Sequence, residues 1–172
     1  MEKIGLKKIL VLGSTGMLGH VVNNVLNEID TFEVVNISYR NKLNSSTIIC
    51  DVTDLKKLDK IISNIKPDVI INCIGVLIQE TAKCVERAIF LNAYFPHWLK
   101  NTCNGIECKL IHISTDCVFS GQKGKNSENT IPDTIEEYGR TKALGEFNVK
   151  KHLCIRTSII GFELKKNGEG LL

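Results

Sequence analysis

The chain lacks any apolar run approaching 18 residues, so the sequence holds no candidate membrane-spanning helix. It also lacks a long basic stretch. Its 22 Lys and Arg are spread along 172 residues and nearly balanced by 19 Asp and Glu, for a net charge of +3. That leaves no electrostatic footprint for nucleic acid or a membrane surface. Only 3 Pro and 13 Gly are present and aromatics make up 6%, which excludes collagen-like, low-complexity and disordered classes. There is no Cys-x-x-Cys. The seven cysteines (Cys50, Cys73, Cys84, Cys103, Cys108, Cys117 and Cys154) are odd in number, and several sit in apolar, strand-like runs. They read as reduced, mostly buried thiols of a cytoplasmic protein. Clustered Cys/His ligand spacing is missing, so no metal site is read. The start, Met1-Glu2-Lys3-Ile4-Gly5-Leu6-Lys7-Lys8, is too charged for a signal peptide.

What is present is 43% hydrophobic residues in a chain of single-domain length. The apolar pattern alternates between strand and helix. Lys8–Leu12, Glu33–Ile37, Thr47–Cys50, Val69–Ile74, Lys109–Ile113 and Leu153–Arg156 read as strands. Leu18, Val21, Val22, Val25, Leu26 and Ile29 form a helical stripe after the first strand. Thr53 or Asp54 caps a second helix carrying Leu55, Leu58, Ile61, Ile62 and Ile65, ended by Pro67. Residues 81–103 read as a longer helix perturbed by Pro96, residues 120–135 as a polar loop, and residues 136–150 as a helix. Continuous apolar strands separated by helices predict an α/β fold. Right-handed crossovers then make it a doubly wound parallel sheet of Rossmann type. Residues 1–160 read as the nucleotide-binding domain, and 161–172 as the start of a C-terminal lobe that the chain does not complete.

Gly13-Ser14-Thr15-Gly16-Met17-Leu18-Gly19 lies between the first strand and the first helix. Its glycines follow GxxGxxG. Such a turn lets backbone N–H groups approach a pyrophosphate seated on the helix N-terminus; without a ligand it is simply a tight strand-to-helix turn. At the end of the second strand stands Ser38-Tyr39-Arg40, with Lys42 nearby, and no Asp or Glu to hold a ribose 2′-hydroxyl. A guanidinium there suits a 2′-phosphate and favours NADP(H) over NAD(H), although a solvated surface Arg is the plainer alternative. Asp51-Val52 falls where an adenine edge could lie, or Asp51 only begins the next helix.

Tyr138-Gly139-Arg140-Thr141-Lys142 has YxxxK spacing. Residues i and i+4 share a helix face, so phenol and ammonium can serve one site. A nearby cation favours the phenolate and lowers the tyrosine pKa, fitting the phenol for proton transfer during hydride chemistry at a carbonyl. Chance supplies about 0.3 such matches in a chain of this composition, so the motif gains weight only from its company. Ile111-His112-Ile113-Ser114-Thr115-Asp116-Cys117 ends a strand on hydroxyls, where ligands of parallel sheets collect. As local features, Ser114, Thr115 and Asp116 read as turn and cap residues.

Taken in order, the Gly-rich turn, Asn72-Cys73-Ile74-Gly75, Leu91-Asn92-Ala93, Ser114-Thr115-Asp116, and Tyr138 with Lys142 resemble the extended short-chain dehydrogenase/reductase superfamily. Within it, GSTGMLG, STDCVFSG and YGRTKALGE are similar to the dTDP-4-dehydrorhamnose reductase family, from about Lys8 to Leu164. The resemblance implies a catalytic trio of Thr115, Tyr138 and Lys142. It implies that Gly13, Ser14, Thr15, Gly16, Met17, Leu18, Arg40, Asp51, Val52, Cys73, Gly75, Asn92, Tyr138 and Lys142 line the cofactor, with Asn92 supporting a water-linked proton path. Arg156-Thr157-Ser158 matches the segment that passes near the nicotinamide. The implied activity is NADP(H)-dependent reduction of a 4-keto nucleotide sugar for cell-surface polysaccharide, by a soluble enzyme that can form a homodimer. An epimerase on the same scaffold, and a non-catalytic subunit similar to that of methionine adenosyltransferase, are the alternatives. Two departures matter. The acid pair of the related dehydratases is absent, because Cys117 follows Asp116, and Cys117 stands where the reductases often have Tyr. The chain also ends before the lobe that would close over a sugar.

Overall fold

The computed structural model describes residues 5–164. Residues 1–4 and 165–172, and with them most of the expected lobe start and part of the charged N-terminal segment, lie outside the described residues. The strands are β1 (Lys7–Leu12), β2 (Phe32–Ser38), β3 (Ile48–Ile49), β4 (Val69–Asn72), β5 (Lys109–Ile113) and β6 (Leu153–Ile155). The helices are α1 (Met17–Asn27), α2 (Leu55–Ile65), α3 (Ile78–Lys83), α4 (Val85–Ala88), α5 (Phe95–Gly105) and α6 (Glu137–Leu144). All six strands are parallel, in the order β3-β2-β1-β4-β5-β6. This is the doubly wound Rossmann arrangement, with its switch point between β1 and β4.

Register and the two-residue alternation of side chains assign the faces. Leu10, Leu12, Ile37, Ile70 and Leu110 point to one side, where they join Leu58 and Ile62 of α2, Ala88 of α4, and Phe95, Leu99 and Cys103 of α5 in the main core. At about 25 cal/mol per Å² of apolar surface buried, this layer supplies the bulk of the driving force. The other side is covered by α1 over β1 and β2, where Ile9 and Val11 are buried. Farther along that face Leu153 and Ile155 of β6 remain 44% and 37% exposed.

The helical stripe read on α1 divides in two. Leu18, Val22 and Leu26 are half-buried and Val21, Val25 and Ile29 face outward, while the fully buried residues of α1 are Gly19 and Asn23, outside the stripe. Because Gly19 brings α1 so near the turn, the helix meets the sheet through its small residues. The expected single helix at 81–103 is broken at Cys84, which has extended φ −152°, and passes through a π-helical stretch at Ile89–Tyr94 before α5. Pro96 sits in the first turn of α5, directly after the π-helical stretch. The helix expected at 136–150 stops at Leu144. Lys66 ends α2 in the left-handed conformation at φ 52°, just before Pro67.

Candidate active site

The loops after β1, β4 and β5 meet at the carboxyl ends of the central strands. Gly13 adopts φ +81°, which glycine takes without strain. Its N–H and that of Ser14 both donate to Ile37 O, at 2.9 and 3.0 Å. Gly19 allows the close approach of α1: a Cβ there would lie 2.1 Å from Gly13 O. Gly16 is the N-cap, with no side-chain cap and no acidic residue in the first turn. The N–H groups of Met17 and Leu18 open the helix without intrahelical acceptors, and the helix dipole favours an anion in front of them.

The other expected cofactor residues are placed as follows. The buried Ser14 hydroxyl donates to Asn36 Oδ1 at 2.9 Å, so this side chain ties the turn to β2. Thr15 is half-buried on the turn. Tyr39 and Arg40 are exposed at the end of β2, with the guanidinium carbon 4.5 Å from the Tyr39 ring centre. Asp51 accepts from the N–H and hydroxyl of Thr53, at 3.0 and 2.8 Å. These bonds, together with Tyr39 and the Arg87 charge, outweigh its partial burial and hold its pKa below the ordinary carboxylate value. Val52 is buried in the core. Cys73 donates its N–H to Leu12 O at 3.0 Å, and burial pushes its thiol up to about 12.

Asn92 is fully buried and its side chain is fully engaged. Its Oδ1 accepts from Val76 N at 2.8 Å, and its Nδ2 donates to Val76 O at 3.0 Å and Thr141 Oγ1 at 3.1 Å. The π-helical stretch places it so. It thereby fixes the β4 loop against α6, and Gly75 lies beside it: a Cβ there would be 3.5 Å from Asn92 Oδ1 and 3.7 Å from Lys142 Nζ.

Tyr138 and Thr115 come together, and Lys142 stands one turn farther along α6. Thr115 begins a 3₁₀ turn, Asp116–Val118, and its hydroxyl accepts from Cys117 N at 3.2 Å and donates to Asp116 Oδ1 at 3.3 Å. Asp116 also accepts from the Ser158 hydroxyl. α6 approaches this turn closely because Gly139 has no side chain; a Cβ there would sit 2.1 Å from Cys117 O. Tyr138 is half-buried. Its phenol pKa is raised: burial leads, Cys117 and Asp116 add to it, and the Thr115 hydroxyl offsets part. The expected lowering by Lys142 is not found. That ammonium turns away to donate to Ile113 O at 2.7 Å. Burial draws the Lys142 pKa down to about 8, against Cys154, Glu146 and Cys73.

A cavity of about 570 Å³ opens beside Tyr138, lined among others by Ile78, Thr81, Cys117, Phe119 and Ile135. No sequence motif marked its α3 wall. Arg156, which the resemblance puts in the segment near the nicotinamide, is the centre of a hydrogen-bond network that no motif marked. Its guanidinium donates to both Glu146 oxygens, the shortest at 2.8 Å, and to Thr130 O at 3.1 Å. Ser114 Oγ also donates to Glu146, at 2.7 Å. Arg156 is thus a tie between β6 and the 120–135 loop. All seven cysteines are free thiols, and among the described residues no three His, Cys, Asp or Glu side chains gather to hold a metal. No described helix is long and apolar enough to cross a membrane.

Comparison with known proteins fits this geometry. The chain is 33% identical over 147 residues to a probable low-salt glycan biosynthesis reductase of Haloferax volcanii, covering 81% of this chain and 48% of that one. It is 28% identical over 165 residues to the methionine adenosyltransferase 2 subunit beta of Danio rerio, covering 93% and 50%. The solved structure of a hypothetical dTDP-4-dehydrorhamnose reductase from Sulfolobus tokodaii superposes with TM-score 0.80 at 31% identity, covering 87% of this chain and 55% of that one. The chain therefore spans about half the length of the relatives it matches. The family model described as the RmlD substrate binding domain matches residues 7–168, and the chain belongs to that family.

Proposed function

We propose that residues up to about 160 form the cofactor-binding unit of an NADP(H)-dependent reductase acting on a 4-keto nucleotide sugar. The observation that carries the reading is Tyr138 lining the cavity with its phenol against the Thr115 hydroxyl, while Lys142, one turn on along α6, is held to Ile113 O, together with an uncapped helix N-terminus behind a Gly-rich turn. The cradle suits a dinucleotide: Gly13, Gly16 and Gly19 keep side chains out of the turn, and the N–H groups of Met17 and Leu18 would meet a pyrophosphate. Arg40 would meet a 2′-phosphate, and Asn92 would keep Gly75 and Lys142 in place along the cofactor. When bound, NADPH supplies the hydride. The chain supplies the proton: a carbonyl oxygen in the cavity accepts from Tyr138 Oη while the Thr115 hydroxyl orients it. Lys142 holds its charge against Ile113 O beside Gly75, where it would anchor the nicotinamide ribose.

The likeness to the methionine adenosyltransferase subunit favours a second reading, a cofactor-binding subunit without turnover. One experiment separates them. NADPH consumption is followed with a 4-keto nucleotide sugar for the wild type and Tyr138→Phe, each in a full-length form that includes a C-terminal sugar-binding lobe. The reductase reading predicts turnover in the wild type, a loss of about 10²- to 10⁴-fold in the variant, and unchanged NADPH affinity. Equal turnover in both removes Tyr138 from its role, and NADPH binding with no turnover in either supports the subunit.

A further inference from the structure

We propose that Arg87, on α4, is a second specificity-determining residue that grips the ribose 2′-phosphate together with Arg40, the two guanidinium groups being set around the Tyr39 ring. The inference rests on the NADP(H) reading above and adds a residue that no motif marks. Arg40 Cζ lies 4.5 Å and Arg87 Cζ 5.9 Å from the Tyr39 ring centre, and Arg40 Nη2 reaches Tyr39 Oη at 3.4 Å. Tyr39 is thus a shared platform for two cations, one from the end of β2 and one from α4. Both side chains are exposed and open to a ligand. Among the described residues neither makes a carboxylate contact within 4.0 Å, although the Arg87 charge acts on Asp51. The carboxylate nearby is Asp51, whose Oδ1 is occupied by the N–H and hydroxyl of Thr53. It offsets at most one of the two positive charges, so the surface around Tyr39 stays cationic. Two guanidinium groups around one point suit a compact dianion that offers three acceptor oxygens. A phosphomonoester on the ribose fits that description and a ribose hydroxyl does not.

The test uses adenosine 2′,5′-bisphosphate and adenosine 5′-monophosphate as probes. They differ only in the 2′-phosphate and avoid the nicotinamide end. Affinities are measured calorimetrically for the wild type, Arg87→Ala, Arg87→Lys and Arg40→Ala. The expected result is a loss of about 10- to 100-fold for the bisphosphate in Arg87→Ala, with the monophosphate within twofold and partial recovery in Arg87→Lys. Equal losses for both probes would overturn the proposal, because Arg87 would then act through the shape of the site. No change in Arg87→Ala, with selectivity lost in Arg40→Ala, would overturn it while the NADP(H) reading stands. A wild type that does not distinguish the probes would overturn both.

Discussion

Lys142 shows what one buried cation does to the balance between stability and function. It is 4% exposed, and its pKa falls from 10.5 to about 8. At 1.36 kcal/mol per pKa unit, keeping it charged at neutral pH costs about 3 kcal/mol. The sign follows from proton counts. The folded value lies below the unfolded one, so the unfolded chain binds more protons between pH 8 and 10.5. The destabilisation is therefore complete below about pH 8 and fades as pH rises to 10.5. Lys142→Met is expected to raise stability by about 2–3 kcal/mol at pH 7, with the gain over wild type shrinking by pH 10. Denaturant melts of both proteins at the two pH values measure it; a gain that does not change with pH would contradict the assignment. Arg40 is exposed, so its replacement tests binding without touching the core. Arg40→Ala should weaken NADPH about tenfold more than NADH, and equal losses would remove it from the 2′-phosphate. At this scale the sequence told residue types and their order, and those were enough to single out Thr115, Tyr138 and Lys142 as candidates. It did not tell direction. The i, i+4 spacing puts phenol and ammonium on one face of α6, yet Ile113 O takes the ammonium and burial raises the phenol. A motif carries no information about which acceptor a lysine finds.

The elements around the site are held by contacts between segments far apart in the chain. Arg156 of the stretch after β6 binds Glu146 after α6 and the carbonyls of the 120–135 loop, and it lies 5.0 Å from the centre of the Phe119 ring. The Glu146 side chain is 12% exposed, so removing its partner strands a largely desolvated carboxylate. Arg156→Met is expected to cost about 2–4 kcal/mol and to make the 120–135 loop the first site of limited proteolysis. An unchanged melt and cleavage pattern would show that the tie is superficial. Strands and helix α2 were legible because their apolar periods and caps are local. The break at Cys84 and the π-helical stretch were not, because what fixes them is the non-local bracket of Asn92 on Val76 and Thr141. The outward half of the α1 stripe was misread for a related reason: apolar periodicity marks a helix, but the close approach at Gly19 decides which residues meet the sheet.

Across the whole molecule, strand order 3-2-1-4-5-6 places the turn after β1 and the loops after β4 and β5 at one edge. That single consequence of topology gathers residues spread from Gly13 to Lys142. The fold was readable because alternating apolar strands and helices leave few topologies. The α3 wall of the cavity was not, because it is made by packing and carries no motif. Arg87 was hidden for the same reason, being brought to Tyr39 only by the folded chain. The central claim is that this chain is an NADP(H)-binding unit. It is tested most directly by titrating the chain with NADPH and, in parallel, NADH, following cofactor fluorescence. Saturable binding of both, with NADPH at least about tenfold tighter, is the predicted result. A folded chain that saturates with neither cofactor would contradict it, since the Gly-rich turn would then be a connection between β1 and α1 and nothing more.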